Sequence, residues 1–218
     1  MNLGINSTKF TKVSEIKIPD IYFKRMSTGI VEFDEIFGKG ILPGSAATVT
    51  AQAGCGKTTL LLQMLESLNN NGYATGYASG EENTFQLAFT CKRLDVKNVS
   101  IANETDIDVL ADAMDDLDIL VIDSYQALTS SKKMNSSELE KYAVYTLGRK
   151  AKESECALIY VMHLTKAGKL KGSTLVPHSV DIRREYYQKL AGRRSYIRVS
   201  WLWTRRQFQK KVLCLSLT

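Results

Sequence analysis

Apolar residues along this chain switch between two spacings, and the switches mark its elements. The stretch "SAATVTA", ending at Ala51, is small and β-branched and reads as a short buried strand. The next segment, "KTTLLLQMLESLNNNG", sets Leu60, Leu61, Met64, Leu65 and Leu68 at helical intervals and stops at Asn71-Gly72. "YATGYAS" reads as a second strand and "ENTFQLAFTCKRLDV" as a second helix, capped by Asn83 or Thr84. "NVSIAN" follows as a strand, then "TDIDVLADAMDDL" as an acidic amphipathic helix capped by Thr105 or Asp106. "DILVIDS" and "CALIYVMHL" are nearly continuous apolar runs, as expected of parallel strands buried on both faces. Between them lie the polar loop "SSKKMNSS" and a long helix, "SELEKYAVYTLGRKAKES", in which Ser137 and Glu140 have capping-box spacing.

After the Gly/Lys loop "TKAGKLKGS" helical spacing disappears, and "SVDIRREYYQK", "RRSYIRVSWLW" and "KKVLCLSLT" read as strands joined by short turns. Alternating strands and helices followed by strands predict an α/β fold. Its central sheet is mostly parallel and flanked by helices, with an antiparallel C-terminal extension. Without a repeat or low-complexity linker, one domain is expected over residues 26–218, after an N-terminal arm, residues 1–25. The arm segment "KVSEIKI" carries a polar, strand-like alternation.

Composition narrows the class. The 44 % of hydrophobic residues is enough to bury a core. No apolar run approaches the ~18 residues of a membrane span, and "MNLGINSTKF" lacks a signal-peptide core. A soluble cytoplasmic protein is expected. Cys55, Cys91, Cys156 and Cys214 are too scattered for a metal knuckle or redox pair and read as reduced thiols. Charge is divided: residues 1–150 hold 15 Lys and Arg against 19 Asp and Glu, whereas residues 151–218 hold 14 against 4. A basic C-terminal third suggests a surface that faces a polyanion.

Candidate chemistry begins at "AQAGCGKTT". It matches the phosphate-binding pattern G-x-x-x-x-G-K-[ST], except that Ala51 stands at the first glycine. A loop over Gly54, Cys55, Gly56, Lys57, Thr58 and Thr59 can wrap backbone N–H groups around a phosphate. Lys57 would reach the β- and γ-phosphates of ATP, and the Thr58 hydroxyl would ligate Mg²⁺. Alanine is tolerable at position 51 if its φ is negative. Asp123, closing "ILVID", is placed to help hold Mg²⁺. Glu81 and Glu82 follow the second strand, where a carboxylate can activate water. His163 closes "LIYVMH" and could sense the γ-phosphate by a hydrogen bond.

These segments also occur in a telling order. "STGIVEFDEIFGKGILPGS", the phosphate loop, "YASGEEN", "ILVIDSYQAL" and "HLTKAGKLKGSTLVPHSVD" together resemble the RecA-like P-loop ATPase core. They are most similar to its RadA/Sms branch of DNA recombination and repair proteins; KaiC-like ATPases share the "SGEE" turn. The resemblance implies that Glu81 is the catalytic glutamate, with Glu82 a second candidate, and that His163 is the γ-phosphate sensor. It implies that "SSKKMNSS" and "TKAGKLKGS" are DNA-binding loops, so that Lys132, Lys133, Lys166, Lys169 and Lys171 would meet phosphates of single-stranded DNA. It further implies a homo-oligomer, ring or filament, with ATP at subunit interfaces. The branch's four-cysteine zinc finger and Lon-like domain have no counterpart here. Its "KNRFG" motif corresponds only to "RRQFQ", which leaves Arg205 or Arg206 as the trans-acting residue.

The expected function is a DNA-dependent ATPase of recombination or repair, acting by strand exchange, branch migration or helicase-like translocation. Two rivals stand beside it: a KaiC-like regulatory ATPase acting on protein, and a non-hydrolysing nucleotide switch. The basic C-terminal third favours DNA over the first rival, and intact Lys57, Thr58, Glu81 and Asp123 oppose the second. Trp201 and Trp203, near arginines, could stack bases or pack one sheet face.

Overall fold

The computed structural model describes residues 10–51, 54, 56–163, 182–188, 195–199 and 211–215. Strands β1 (Ala46–Ala51), β2 (Thr75–Ser79), β3 (Ser100–Ala102), β4 (Ile119–Asp123) and β5 (Ala157–His163) alternate with helices. The helices are α1 (Val31–Ile36), α2 (Lys57–Asn70), α3 (Thr84–Arg93), α4 (Ile107–Ala113) and α5 (Ser136–Ser154). Strands β6 (Ile182–Gln188), β7 (Ser195–Val199) and β8 (Lys211–Leu215) complete an eight-stranded sheet of order β3-β2-β4-β5-β1-β6-β7-β8. The α/β fold is therefore as expected: a parallel sheet with an antiparallel extension. The extension starts one strand later than the sequence suggests, because β6 joins β1 in parallel and only β7 and β8 run antiparallel.

Alternation along the central strands sends side chains into two cores. Ile119 and Val121 of β4 and Ile159 and Val161 of β5 face the layer of α2 and α3. Leu120, Ile122, Leu158, Tyr160 and Met162 face α4 and α5. With helices on both faces, no polar alternation is needed, which is why these strands read as apolar runs. Helix α2 buries Leu62 as well as the five residues of the expected stripe, as befits a helix enclosed by the sheet, α1 and α3. Cys91 and Cys156 are free and buried, and burial pushes the Cys156 thiol up to about 12. Neither is a reactive thiolate.

Several boundaries sharpen. Asn83 caps α3 in a reciprocal box with Gln86, and Asp106 caps α4 through the N–H groups of Asp108 and Val109. The long helix begins one residue earlier than expected. Asn135 caps it with Glu138 as partner, not Ser137 with Glu140: the Asn135 amide oxygen accepts from Glu138 N–H and the Glu138 carboxylate accepts from Asn135 N–H. The six-residue α1 was hidden in a polar stretch. Asp34 organises it, accepting from Thr28 N–H and from the hydroxyls of Thr28 and Ser27. The arm segment "KVSEIKI" forms a 3₁₀ turn, Val13–Glu15, and no described strand pairs with it. Phe10, Val13, Ile16, Ile18 and Phe23 are exposed there, and Met26, bridged to Ile41, is the first buried one among the described residues. Among the described residues no helix is long and apolar enough to cross a membrane.

Candidate functional site

Parallel pairing fixes where the chemistry converges. Ser79 is in register with Asp123, and Asp123 with Val161; Ala51 is in register with His163. The last residues of β1, β2, β4 and β5 therefore share one edge, the carboxyl edge where open α/β sheets bind ligands. From β1 the chain turns into α2 through Gly54 and Gly56, both left-handed at φ +76° and +84°. Among the described residues, a Cβ at either would meet nothing within 4 Å, so the demand for glycine here is conformational, not steric. Ala51 ends β1 in extended backbone, so it needs no glycine. Cys55 lies outside the described residues.

Lys57 and Thr58 open α2 and Thr59 follows them, so Lys57 and Thr58 point to the same edge. Lys57 is 8 % exposed, and its ammonium lies 3.4 Å from His163 Nδ1. An ammonium can only donate, so Nδ1 is the acceptor in this contact, and the other ring nitrogen, Nε2, faces Glu81. That nitrogen is 2.8 Å from Glu81 Oε1, a close approach rather than an aligned hydrogen bond. Glu81 Oε1 also accepts from Ser124 Oγ at 3.2 Å. No salt bridge to Lys57 occurs among the described residues. A buried cation without a carboxylate is costly unless an anion is supplied.

Asp123 is 7 % exposed and differs at its two oxygens. Oδ2 accepts from the Tyr77 hydroxyl at 2.5 Å and from Thr58 Oγ1 at 3.4 Å. Oδ1 is buried and has no hydrogen-bond partner among the described residues. The Asp123–Ser124 peptide is cis. Single ligand atoms of Glu81, Asp123 and His163 lie within 4.8 Å of one another. The carboxylate oxygens of buried Asp123 and the hydroxyl of half-buried Thr58 are the donor type that a hard cation prefers.

The turn after β2 separates the two glutamates. Ser79 Oγ accepts from the N–H groups of Glu81 and Glu82, and Asn103 Nδ2 donates to the carbonyls of Ser79 and Glu82. Glu81 enters the cluster, whereas Glu82 lines an open groove with Phe85, Gln86 and Phe89. Gly80 donates its N–H to Asp123 O at 2.7 Å, and a Cβ there would lie 2.4 Å from Ala127 Cβ and 2.9 Å from Thr105 Cγ2. Gly80→Ala is therefore expected to lose about 1–3 kcal/mol by overpacking. Urea unfolding measures this; an unchanged midpoint would mean the turn yields freely.

The sequence reading missed three side chains of this site: Tyr77, Ser124 and Asn103. Tyr77 was the most findable, as the one large side chain in "TGYAS", two residues before a strand end. Of the expected DNA contacts, Lys133 is exposed. Lys132 lies 3.0 Å from Asp108 Oδ2, donates to Tyr142 Oη and sits over the Tyr142 ring. Lys166, Lys169, Lys171, Arg205, Arg206, Trp201 and Trp203 lie outside the described residues.

Comparison with known proteins agrees with this geometry. The KaiC ATPase family profile matches residues 26–118. The DNA repair protein RadA of Haemophilus influenzae is 33% identical over 186 residues, covering 82% of this chain and 40% of that protein. RadA of Escherichia coli (strain K12) is 34% identical over 181 residues, 79% of this chain and 38% of that protein. The chain thus spans well under half the length of these relatives. Among solved structures, the ATPase domain of G40P aligns with TM-score 0.71 at 14% identity, over 90% of this chain and 89% of that one. A DnaB-like replicative helicase, solved for its interactions with primase, aligns with TM-score 0.72 at 13% identity, over 88% and 59%. Sheet order, phosphate loop and sequence similarity together place the chain in the RecA-like family, as a KaiC-like ATPase domain similar in sequence to RadA.

Proposed function

We propose that this domain binds Mg²⁺-ATP at the carboxyl edge of its sheet and uses hydrolysis to alter its grip on single-stranded DNA. The observation that carries the reading is the convergence of Lys57, Thr58, Glu81, Asp123 and His163 at that edge. The buried Lys57 ammonium offers its charge to the β- and γ-phosphates. Glu81 accepts a proton from the attacking water. His163, between Lys57 and Glu81, responds to the γ-phosphate by exchanging its contact with the ammonium. Thr58 and Asp123 would hold Mg²⁺, and the unpartnered Asp123 Oδ1 supports that fit. When bound, the ion would neutralise charge on the phosphate oxygens.

Single-stranded DNA as partner is favoured by the basic C-terminal third and by the names of the RadA and helicase relatives. Lys133 and Lys132 on the loop after β4, with Lys166, Lys169 and Lys171 beyond β5, are the proposed phosphate contacts. We assign strand exchange, branch migration or translocation as the class of work, in a homo-oligomer with ATP at its interfaces. Arg205 or Arg206 is the proposed trans-acting residue. The exposed apolar side chains of residues 10–25 favour a role for the arm in tying one copy to the next.

ATP turnover measured with and without single-stranded DNA across a salt series tests the reading. Stimulation of several-fold at low salt, fading as salt rises, is expected. A rate indifferent to DNA would overturn the DNA reading. It would favour a KaiC-like regulatory ATPase acting on protein, which the family match over residues 26–118 also suits.

A further inference from the structure

We propose that Tyr77 is a positioning residue for the cation site, its hydroxyl fixing which oxygen of Asp123 is left for the metal. The proposal rests on the reading of this edge as a Mg²⁺-nucleotide site. Tyr77 is 1 % exposed and stands in the middle of β2, with Val121 as its β4 partner. Its ring packs in the core beneath α2, but its hydroxyl rises two residues along the strand to reach Asp123 Oδ2 at 2.5 Å. Of the two groups the phenol hydroxyl donates and the carboxylate oxygen accepts, so the bond runs from Tyr77 to Asp123. The hydroxyl is therefore the donor in this pair.

That donor has a directional consequence. Both hydrogen bonds received by the Asp123 carboxylate, from Tyr77 and from Thr58, fall on Oδ2. Oδ1 is left buried and unpartnered among the described residues. A buried carboxylate oxygen seldom remains without a partner. A carboxylate held by one oxygen and vacant at the other is oriented before its ligand arrives. Partners that orient a metal-site carboxylate in this way typically govern metal affinity by about 10- to 100-fold. A phenylalanine would fill the same space in the core, so the ring's packing explains an aromatic here but not its hydroxyl.

The test is Tyr77→Phe in the full chain, read by ADP binding with and without Mg²⁺ and by Mn²⁺ binding followed by electron paramagnetic resonance. The expected result is a rise of roughly 10-fold in the metal concentration that half-saturates ADP binding. ADP affinity in chelator should stay within about twofold, because the phosphate loop is untouched. A residue that served only the core would shift the unfolding midpoint and leave the metal dependence alone. Replacing Tyr77 with 4-aminophenylalanine restores a donor and should recover most of the metal affinity. Wild-type metal dependence in Tyr77→Phe would overturn the proposal, and so would loss in the 4-amino variant equal to that in Phe. A wild-type chain whose ADP binding ignores Mg²⁺ would instead overturn the reading of the site itself.

Discussion

The Glu81→Gln protein is expected to bind ATP within about threefold of wild type and to hydrolyse it some 10²- to 10³-fold more slowly. The substitution keeps the shape of the side chain and keeps an amide oxygen able to accept from Ser124 Oγ, so the turn after β2 should be preserved. It removes the negative charge 2.8 Å from His163 Nε2 and the only feature that lets this side chain take a proton from water. Nucleotide binding is expected to depend mainly on the phosphate loop and Lys57. Fluorescent-nucleotide binding and single-turnover hydrolysis separate the two effects. Normal turnover in this variant would sink the assignment and move attention to Glu82. Glu82 lines the groove beside Phe85 and Phe89, outside the cluster of Glu81, Asp123 and His163.

Lys57→Met is expected to lower turnover by at least about 10²-fold, comparable to deleting a preorganised electrostatic donor. Its effect on stability should run the other way. Wild-type Lys57 is 8 % exposed and its ammonium, among the described residues, meets only the His163 ring nitrogen Nδ1. Replacing it with a thioether of similar length removes the need to bury a charge. The unliganded variant should therefore melt no lower than wild type. A ligand at 100 times its dissociation constant adds about 2.7 kcal/mol. For a domain of this size that is a thermal shift of roughly 5–10 °C. Wild type should show this shift with Mg²⁺-ATP and Lys57→Met should lose it. A variant that melts well below wild type without nucleotide would mean that Lys57 serves the fold.

The two predictions test complementary halves of one contact chain. Lys57 points to His163, His163 to Glu81, and Glu81 receives Ser124, the residue after Asp123. The groups proposed to sense the phosphate and to activate water are thus in contact with one another. This is the physical basis for proposing that phosphate state is passed from Lys57 to Glu81 through His163.

Much of this was legible in the chain alone. Apolar runs at "ILVID" and "LIYVMH" gave buried parallel strands, because a strand covered by helices on both faces needs no polar alternation. The two glycines before Lys57 announced a backbone that only glycine adopts readily, and Gly54 and Gly56 are indeed left-handed. Strand-end positions for Glu81, Asp123 and His163 followed from the same pattern. Other features were illegible because they depend on which strands lie side by side. No spacing rule says that β5 sits between β4 and β1, which is what brings His163 against Lys57, 106 positions apart. Nor does spacing say which of Glu81 and Glu82 joins Asp123 and His163; Ser79 and Asn103, holding the turn, place Glu81 there. Tyr77 looked like core and is core, yet its hydroxyl reaches Asp123 across a strand boundary. Sequence determined the elements and the chemical groups at their ends, since periodicity and turn chemistry are local. Tertiary structure decided which groups touch, since strand order and register are set by packing between segments far apart in the chain.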